Sequence, residues 1–304
     1  MFRSRGVLVA IILLAACTAA DPAPQPPEPT DQDLLSGWRL ARFAFEQRQY
    51  DQAAELYARA LQRAYARDDL SAIGDVGYEL AVVRLRQFDA PAAAEQARKT
   101  RDELYRRGED PFAELYLVEA VALFEMGERA EAEVMADEAI ALAPDPLDPV
   151  AKRAWFLNGR IAADRDDEAG LSRALAALVP SQDPELQADR LELIGRREQL
   201  DDQPERALSA FRTSADLRRD TEDYLGMARA LALAGAAAED AGLMTEAADF
   251  YFRAGRSAEV EGRPADARAW LATAARLAET TGQAEILDQA NERLERLTKA
   301  DEGS

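Results

Sequence analysis

Residues 49–61 of this 304-residue chain read QYDQAAELYARAL, and the expected fold class follows from this stretch. Its small residues Ala53 and Ala60 stand with Tyr57 at helical spacing, so the three lie on one face of a helix. Another small residue, Ala41, precedes Ala53 by 12 positions. This offset predicts two antiparallel helices whose axes approach closely, because only small side chains fit at such a crossing.

The same offsets recur along the chain with a period of 36 to 40 residues. The leading small residues of the successive units are Ala41, Ala81, Ala120, Gly159, Gly195, Gly235 and Ala275. Gly and Pro stand between the predicted helices or in their first turns, where they are tolerated. The sequence therefore predicts an all-α protein, an α-solenoid of about seven antiparallel helix pairs over residues 33–299, with a tail at residues 300–304.

Two segments carry the repeat pattern most clearly. They are residues 49–61 and residues 127–144, where Gly127 is followed by Ala132, Ala136 and Ala139. Both resemble the tetratricopeptide repeat (TPR) family, and the resemblance covers about residues 33–298. The period is longer than the 34 residues usual in that family, which implies helices about a turn longer. The resemblance implies a right-handed superhelix whose concave groove binds a segment of a partner protein.

Residues 1–16 have the layout of a secretory signal peptide, with two arginines before an apolar run over residues 6–14. Residues 14–17 read LAAC and end at Cys17, the single cysteine of the chain. They resemble the lipobox of bacterial lipoproteins, which implies that Cys17 becomes the N-terminus and carries acyl chains such as palmitate. Thr18 stands where an Asp would favour the inner membrane, so the resemblance implies the outer membrane, facing the periplasm. The alternative is that Cys17 is an incidental thiol.

Residues 17–32 are interpreted as the lipid-bearing cysteine and a tether. Five of the nine residues at positions 21–29 are Pro, which excludes helix and favours an extended polyproline conformation. Such a tether would hold the folded part roughly 30 Å from the membrane. The alternative is a recognition motif for a Pro-binding domain.

Composition excludes several classes of chemistry. The chain has no His, which removes Ser-His-Asp and Cys-His catalysis and His-ligated zinc. With 57 acidic and 37 basic residues its formal charge is −20, which argues against nucleic acid as a partner. No phosphate-binding Gly motif occurs, and carboxylates are too common on exposed helix faces to single out a catalytic pair. We expect a non-enzymatic protein without metal or cofactor.

The first helix of each pair should present the residues 3 before, 1 after and 4 after its small residue to the concave groove. This rule, with Arg86 and Arg153 added as nearby cations, gives Trp38, Arg42, Phe45, Tyr78, Val82, Leu85, Arg86, Leu117, Val121, Phe124, Arg153, Phe156 and Arg160. They predict an apolar floor in the N-terminal half, with arginines as anion contacts for a partner segment. The alternative is that the apolar residues pack against neighbouring helices and that the arginines are only solvated.

Together these features predict a membrane-anchored periplasmic scaffold or adaptor that binds a protein partner in cell-envelope assembly or regulation. One alternative is a lipoprotein that binds glycans or small molecules by stacking them on Trp38, Tyr78 and Phe156. Another is a cell-wall hydrolase that uses two carboxylates, although no pair stands out.

Overall fold

A computed structural model describes residues 31–302, with side chains described as far as residue 299. Its helices are α1 (Gln32–Glu46), α2 (Tyr50–Arg67), α3 (Leu70–Arg86), α4 (Ala90–Arg106), α5 (Ala113–Glu125), α6 (Arg129–Leu142), α7 (Pro149–Asp164), α8 (Glu168–Ala177), α9 (Pro184–Leu200), α10 (Pro204–Asp220), α11 (Tyr224–Asp240), α12 (Met244–Val260), α13 (Pro264–Thr281) and α14 (Ala284–Glu302). These residues contain no strand, so the prediction of an all-α solenoid of seven helix pairs is confirmed. Cys17, the signal peptide and residues 17–30 of the predicted tether lie outside the described residues, whereas Asp31 caps α1 and Gln32 begins it.

The small residues that set the repeat lie at the crossings between helices. All seven are buried, with Ala41, Ala81 and Ala120 at 0% exposure. A Cβ atom added to Gly195 on α9 would lie 2.5 Å from Cε1 of Phe211 on α10, closer than real Cβ contacts come. The helix pairs can therefore close only because these positions carry almost no side chain.

Apolar packing runs along the array as a series of clusters, each joining neighbouring helices. Phe211, Leu193 and Ile73 are among the largest fully buried side chains. This arrangement is typical of repeat proteins, in which each unit is stabilised by its neighbours.

The turns between helices use residues in the left-handed backbone region. Five are Gly, but others have side chains, and Phe88, between α3 and α4, has a φ of 60°. A bulky residue rarely adopts this conformation, because its Cβ crowds the backbone.

The two ends of the array differ in polarity. The outward side of α14 carries exposed polar residues, including Glu285, Asp288 and Glu292, as a terminal capping helix requires. The exposed side of α1 instead carries Leu40 and Phe43, which are 57% and 60% exposed. No helix of the described residues is both long enough and apolar enough to cross a bilayer.

Candidate functional site

The first helices of successive pairs stack on one another, α3 on α5, α5 on α7 and α7 on α9, and form a curved inner wall. The curvature brings the turn between α12 and α13 back to the N-terminal units. Arg48 donates to Glu261 at 3.3 Å, and Arg263 donates to Glu125 at 3.0 and 3.1 Å. The guanidinium of Arg263 also lies 5.1 Å from the ring centroid of Phe88. We call these five residues the clasp and the enclosed space the channel.

The channel contains an N-terminal cavity of about 240 Å³. It is lined by Arg42, Phe45, Glu46, Tyr57, Tyr78, Glu79 and Val82. Glu79 organises its polar side by accepting hydrogen bonds from the indole of Trp38 at 2.5 Å and from Nε of Arg42 at 2.8 Å. Burial, followed by the charge of Glu79, raises the pKa of Tyr57, so this phenol stays neutral and can donate. The cavity combines an apolar pocket with a fixed ion pair at its edge.

A central cavity of about 540 Å³ adjoins the first, and the two share Phe45 and Glu46. Its other lining residues are Arg48, Tyr50, Arg86, Arg153, Phe156, Glu185, Asp189, Arg218, Thr221, Glu222, Asp223, Tyr224, Leu225 and Glu261. Its lining contains both arginines and carboxylates, so it suits a ligand with polar groups of both signs. Its volume falls within the range of about 300–1,000 Å³ found for small-ligand sites.

The floor of the central cavity is a buried ion network centred on Arg218. Its guanidinium donates to Asp189 at 2.7 Å, to Asp223 at 2.5 Å and to Glu192 at 3.1 Å. Burial raises the pKa of Asp189 to about 6, although Arg218 opposes the shift. Burial also acts to raise the pKa of Glu192, but Arg229 and Arg218 hold it well below its ordinary value. The network therefore contains one carboxylate with a raised pKa, Asp189, and one with a lowered pKa, Glu192.

Seven of the predicted groove residues line one of the two cavities. They are Arg42, Phe45, Tyr78, Val82, Arg86, Arg153 and Phe156. Arg86 and Arg153 are exposed, and Arg153 faces Glu185 across 3.9 Å. The structure thus brings residues from α1, α3 and α7 together around one space.

The other six predicted residues line neither cavity. Trp38 is held by Glu79, and Leu85, Leu117 and Val121 pack against the core clusters. Phe124 is buried, and Arg160 lies over its ring at 4.3 Å. These side chains support the channel from within the inner wall.

Several residues of the central cavity were missed by the groove rule. Arg218 lies on α10, the second helix of its pair, to which the groove rule does not apply. In sequence, the Arg218-Arg219 pair looks like two solvated cations near a helix end. The structure buries Arg218 to 5% exposure, while Arg219 pairs with Asp216 at the surface. Glu261 lies in a turn of a distant unit. The helical periodicity of α10 is the one sequence signal that could have separated Arg218 from Arg219.

No group of three or more Cys, Asp or Glu side chains in the described part of the chain is arranged to hold a metal ion. The ion network is instead saturated by arginines. The carboxylates of the network are already paired with arginines, and the arrangement can bind and orient a ligand.

Neither a family model nor a curated protein sequence matches this chain. Among solved structures, it is similar to the apo form of RapI, with a TM-score of 0.63, 12% identity, and coverage of 90% of this chain and 100% of that one. It is also similar to the Rap conjugation gene regulator of plasmid pLS20 in complex with the Phr* peptide, with a TM-score of 0.58, 16% identity, and coverage of 88% and 76%.

A tetratricopeptide repeat protein from Parabacteroides merdae aligns with a TM-score of 0.50 and 14% identity, over 86% of this chain and 99% of that chain. Identities this low establish the fold alone. The described chain has the fold of the TPR-like helical repeat proteins.

Proposed function

We propose that this protein is a membrane-anchored adaptor of the bacterial cell envelope that holds a short, extended segment of a partner protein in its channel. The observation that carries the proposal is the clasp, which closes the concave side with contacts from Arg48 to Glu261 and from Arg263 to Glu125. A closed channel with a central cavity of about 540 Å³ accommodates a few residues of extended chain and excludes a folded domain.

The lining favours a peptide with both apolar and charged groups. The N-terminal cavity offers Phe45, Tyr78 and Val82 to an apolar side chain. The central cavity offers Arg86, for which no hydrogen bond or ion pair is seen within the described residues, together with carboxylates such as Glu46. Recognition of an extended segment by pockets for alternate side chains is a common mode of peptide binding.

Two structural neighbours support this class of ligand. The pLS20 Rap regulator is described in complex with the Phr* peptide, and another Rap protein is complexed with Competence and Sporulation Factor. The second of these aligns with a TM-score of 0.52 and 15% identity. Both share the fold of this chain, and the proposal extends peptide binding to it on the geometry of its own cavities.

The anchoring part of the proposal rests on the N-terminal sequence. Acylation of Cys17 and the Pro-rich tether would hold the channel near the outer membrane, facing the periplasm. A tethered adaptor raises the local concentration of its partner and so strengthens capture without new contacts. Changing Cys17 to Ser should move the protein from the membrane fraction to the soluble fraction. Retention of the Cys17→Ser variant in washed membranes would contradict lipid anchoring through this residue.

The peptide proposal is tested by photocrosslinking in intact cells. A photoreactive side chain is placed at Glu46, which lines both cavities, or at Tyr105, which is 75% exposed on α4 and serves as the control. We expect an adduct at position 46 that mass spectrometry maps to one short segment of one partner, and no such adduct at position 105. Equal labelling at both positions would contradict the channel as the binding site.

The stacking alternative has less support, because the aromatic rings are already engaged. Arg42 lies over the Trp38 ring at 4.9 Å, and Tyr78 packs edge-on against Phe112 with the ring centroids 5.9 Å apart. Saturable quenching of Trp38 fluorescence by a glycan fragment would favour this alternative over the peptide adaptor.

A further inference from the structure

A cluster of five arginines lies in the inner wall behind Phe156. Its centre is Glu192 on α9, whose side chain is fully buried. Four of the arginines, Arg160, Arg196, Arg218 and Arg229, approach this single carboxylate. The fifth, Arg129, joins them at the ring of Phe124. Such a concentration of guanidinium groups is unexpected in a chain with a formal charge of −20.

Glu192 satisfies only two of the four arginines. Arg229 donates to its oxygens at 3.0 to 3.2 Å and Arg218 at 3.1 Å. The Nε atoms of Arg160 and Arg196 stand 3.9 and 3.7 Å away, which is too far for a hydrogen bond. Both Nε atoms are buried and have no acceptor within the described residues. Two buried Nε donors therefore face the same carboxylate without a hydrogen bond to it.

Arg160 is the least satisfied member of the cluster. Arg196 has a second carboxylate, since its Nη1 donates to Asp164 at 3.2 Å. For Arg160, no hydrogen-bond acceptor is found among residues 31–299, and its guanidinium rests 4.3 Å from the Phe124 ring centroid. Its side chain keeps 15% exposure, so it is not sealed from solvent. Burial, and then the charge of Arg229, lowers the pKa of Arg160 to about 9, as expected for a cation short of an anion.

Ion pairs of the five arginines reach four carboxylates, those of Asp164, Asp189, Glu192 and Asp223. The charge of Glu125 also acts on Arg160, but this carboxylate accepts hydrogen bonds from Arg263. The ring of Phe156 lies 5.8 Å from the Arg160 guanidinium and also lines the central cavity. A cation without a hydrogen-bonded anion thus stands near the cavity that receives the partner segment in the proposed function.

We infer that Arg160, together with Arg196 and Arg229, forms a receptor for one oxyanion, and that its ligand is a carboxylate. This inference rests on the proposed function for the source of the carboxylate, an acidic side chain or the C-terminus of the bound segment. The anion would accept from Arg160, to which Glu192 makes no hydrogen bond. Charge-assisted hydrogen bonds of this kind are among the strongest in proteins.

The test follows the Nε–Hε resonances of the arginines in the ¹⁵N-labelled full chain. Sodium acetate, inorganic phosphate, a tripeptide acid and its C-terminal amide are titrated at constant ionic strength, with chloride as the balancing ion. We expect the Arg160 resonance to shift saturably with acetate and with the tripeptide acid, but not with the amide. The Arg160→Gln variant should weaken acetate binding at least tenfold.

Arg101→Gln is the matched control. Arg101 on α4 is also buried, has an Nε without an acceptor and lies over the ring of Tyr116, but it pairs directly with Glu119 at 3.3 Å. This variant should bind acetate as the parent protein does. If Arg160→Gln does not fold, the titration of the parent protein still decides the matter, because it needs no variant.

Three outcomes separate the possibilities. If the Arg160 resonance saturates with phosphate but not with acetate, the inference that the ligand is a carboxylate is wrong. A chemical-shift change that is linear in ligand concentration, or equal for chloride, would contradict a specific anion site at Arg160. The crosslinks at position 46 test the proposed peptide binding independently of this titration. Acetate binding without any crosslink would support the receptor and remove the partner segment as its source.

Discussion

Arg263, in the turn between α12 and α13, donates two hydrogen bonds to Glu125 at the end of α5, 138 residues earlier in the chain. Many ion pairs of the described residues join helices of the same or adjacent units, as Arg276 and Glu239 do at 2.8 Å. The Arg263–Glu125 contact is supported by Arg48–Glu261 and by Phe88 beneath Arg263. These contacts turn an open solenoid into an enclosed channel.

Reversing the charge of Arg263 should open the channel without unfolding the protein. An exposed ion pair contributes about 0.2–1 kcal/mol, and each unit remains packed on its neighbours. The Arg263→Glu variant should show a larger radius of gyration by small-angle X-ray scattering. The urea midpoint should change by the equivalent of about 1 kcal/mol or less.

Two further variants make this experiment specific. The double variant Arg263→Glu with Glu125→Arg should return the radius of gyration to that of the parent protein. Arg276→Glu breaks an exposed pair between adjacent units and should leave the dimensions unchanged. Equal expansion of Arg276→Glu and Arg263→Glu would mean that the clasp has no special role.

Removing the aromatic ring of Phe88 from the clasp should expand the protein, as Arg263→Glu should. Phe88 has a left-handed backbone, and Asn tolerates this conformation better than bulky residues do. The Phe88→Asn variant therefore removes the contact with Arg263 without adding backbone strain. We expect an expansion comparable to that of Arg263→Glu; unchanged scattering would show that the ring does not contribute to closure.

A side chain at Gly195 should destabilise the array. The added Cβ of Gly195→Val would stand 2.5 Å from the Phe211 ring and force α9 and α10 apart. Overpacking of this kind costs about 1–3 kcal/mol, measured by urea unfolding. The control is Gly37→Ala on α1, where the new Cβ meets nothing within 4 Å. Because Ala favours helix over Gly, Gly37→Ala should be stabilising by about 0.5–1 kcal/mol.

Neutralising Glu192 should lower the free energy of unfolding. The Glu192→Gln variant leaves the buried Arg218 and the partly buried Arg229 without their shared carboxylate, and breaking a buried pair in this way costs about 3–5 kcal/mol. Glu185→Gln is the matched control, because its pair with Arg153 is 3.9 Å long and both side chains are more than half exposed. The control should stay within about 0.5 kcal/mol of the parent in urea unfolding.

Asp189 should make stability depend on pH between about 4 and 6. Its pKa in the folded protein is raised from 3.8 to about 6, so the folded state binds the proton more tightly than the unfolded state does. The stabilisation from this group is complete below pH 4 and is lost as the pH rises through 6. Burial is the main cause of the raised pKa; among the charged groups around Asp189, Arg218 and Arg229 lower this pKa and Glu192 raises it.

The measurement compares urea unfolding of the parent and of Asp189→Asn from pH 7 to pH 4. The free energy of unfolding of the parent, relative to that of Asp189→Asn, should increase as the pH falls, by at most about 1.4 kcal/mol per pH unit. A constant difference over this range would show that Asp189 is not held in the folded state with a raised pKa.

The spacing of small residues was enough to predict the helix pairs. Ala41, Gly195 and their counterparts mark crossings between helices that are close in sequence, and such local packing leaves a periodic pattern. The same rule found Phe45, Val82 and Phe156 in the lining of the channel. It could not find Arg218 or Glu261, because their positions depend on the register of second helices and turns.

The sequence by itself determined the helix pairs, their order and the side of α1, α3 and α7 that faces the cavities, because these depend on contacts between adjacent segments. Only the tertiary structure decided that the array closes, since small rotations between units add up before Arg263 reaches Glu125. It also decided which arginines are exposed and which are buried around Glu192. That distinction is set by packing between α7, α9, α10 and α11, and no local pattern records it.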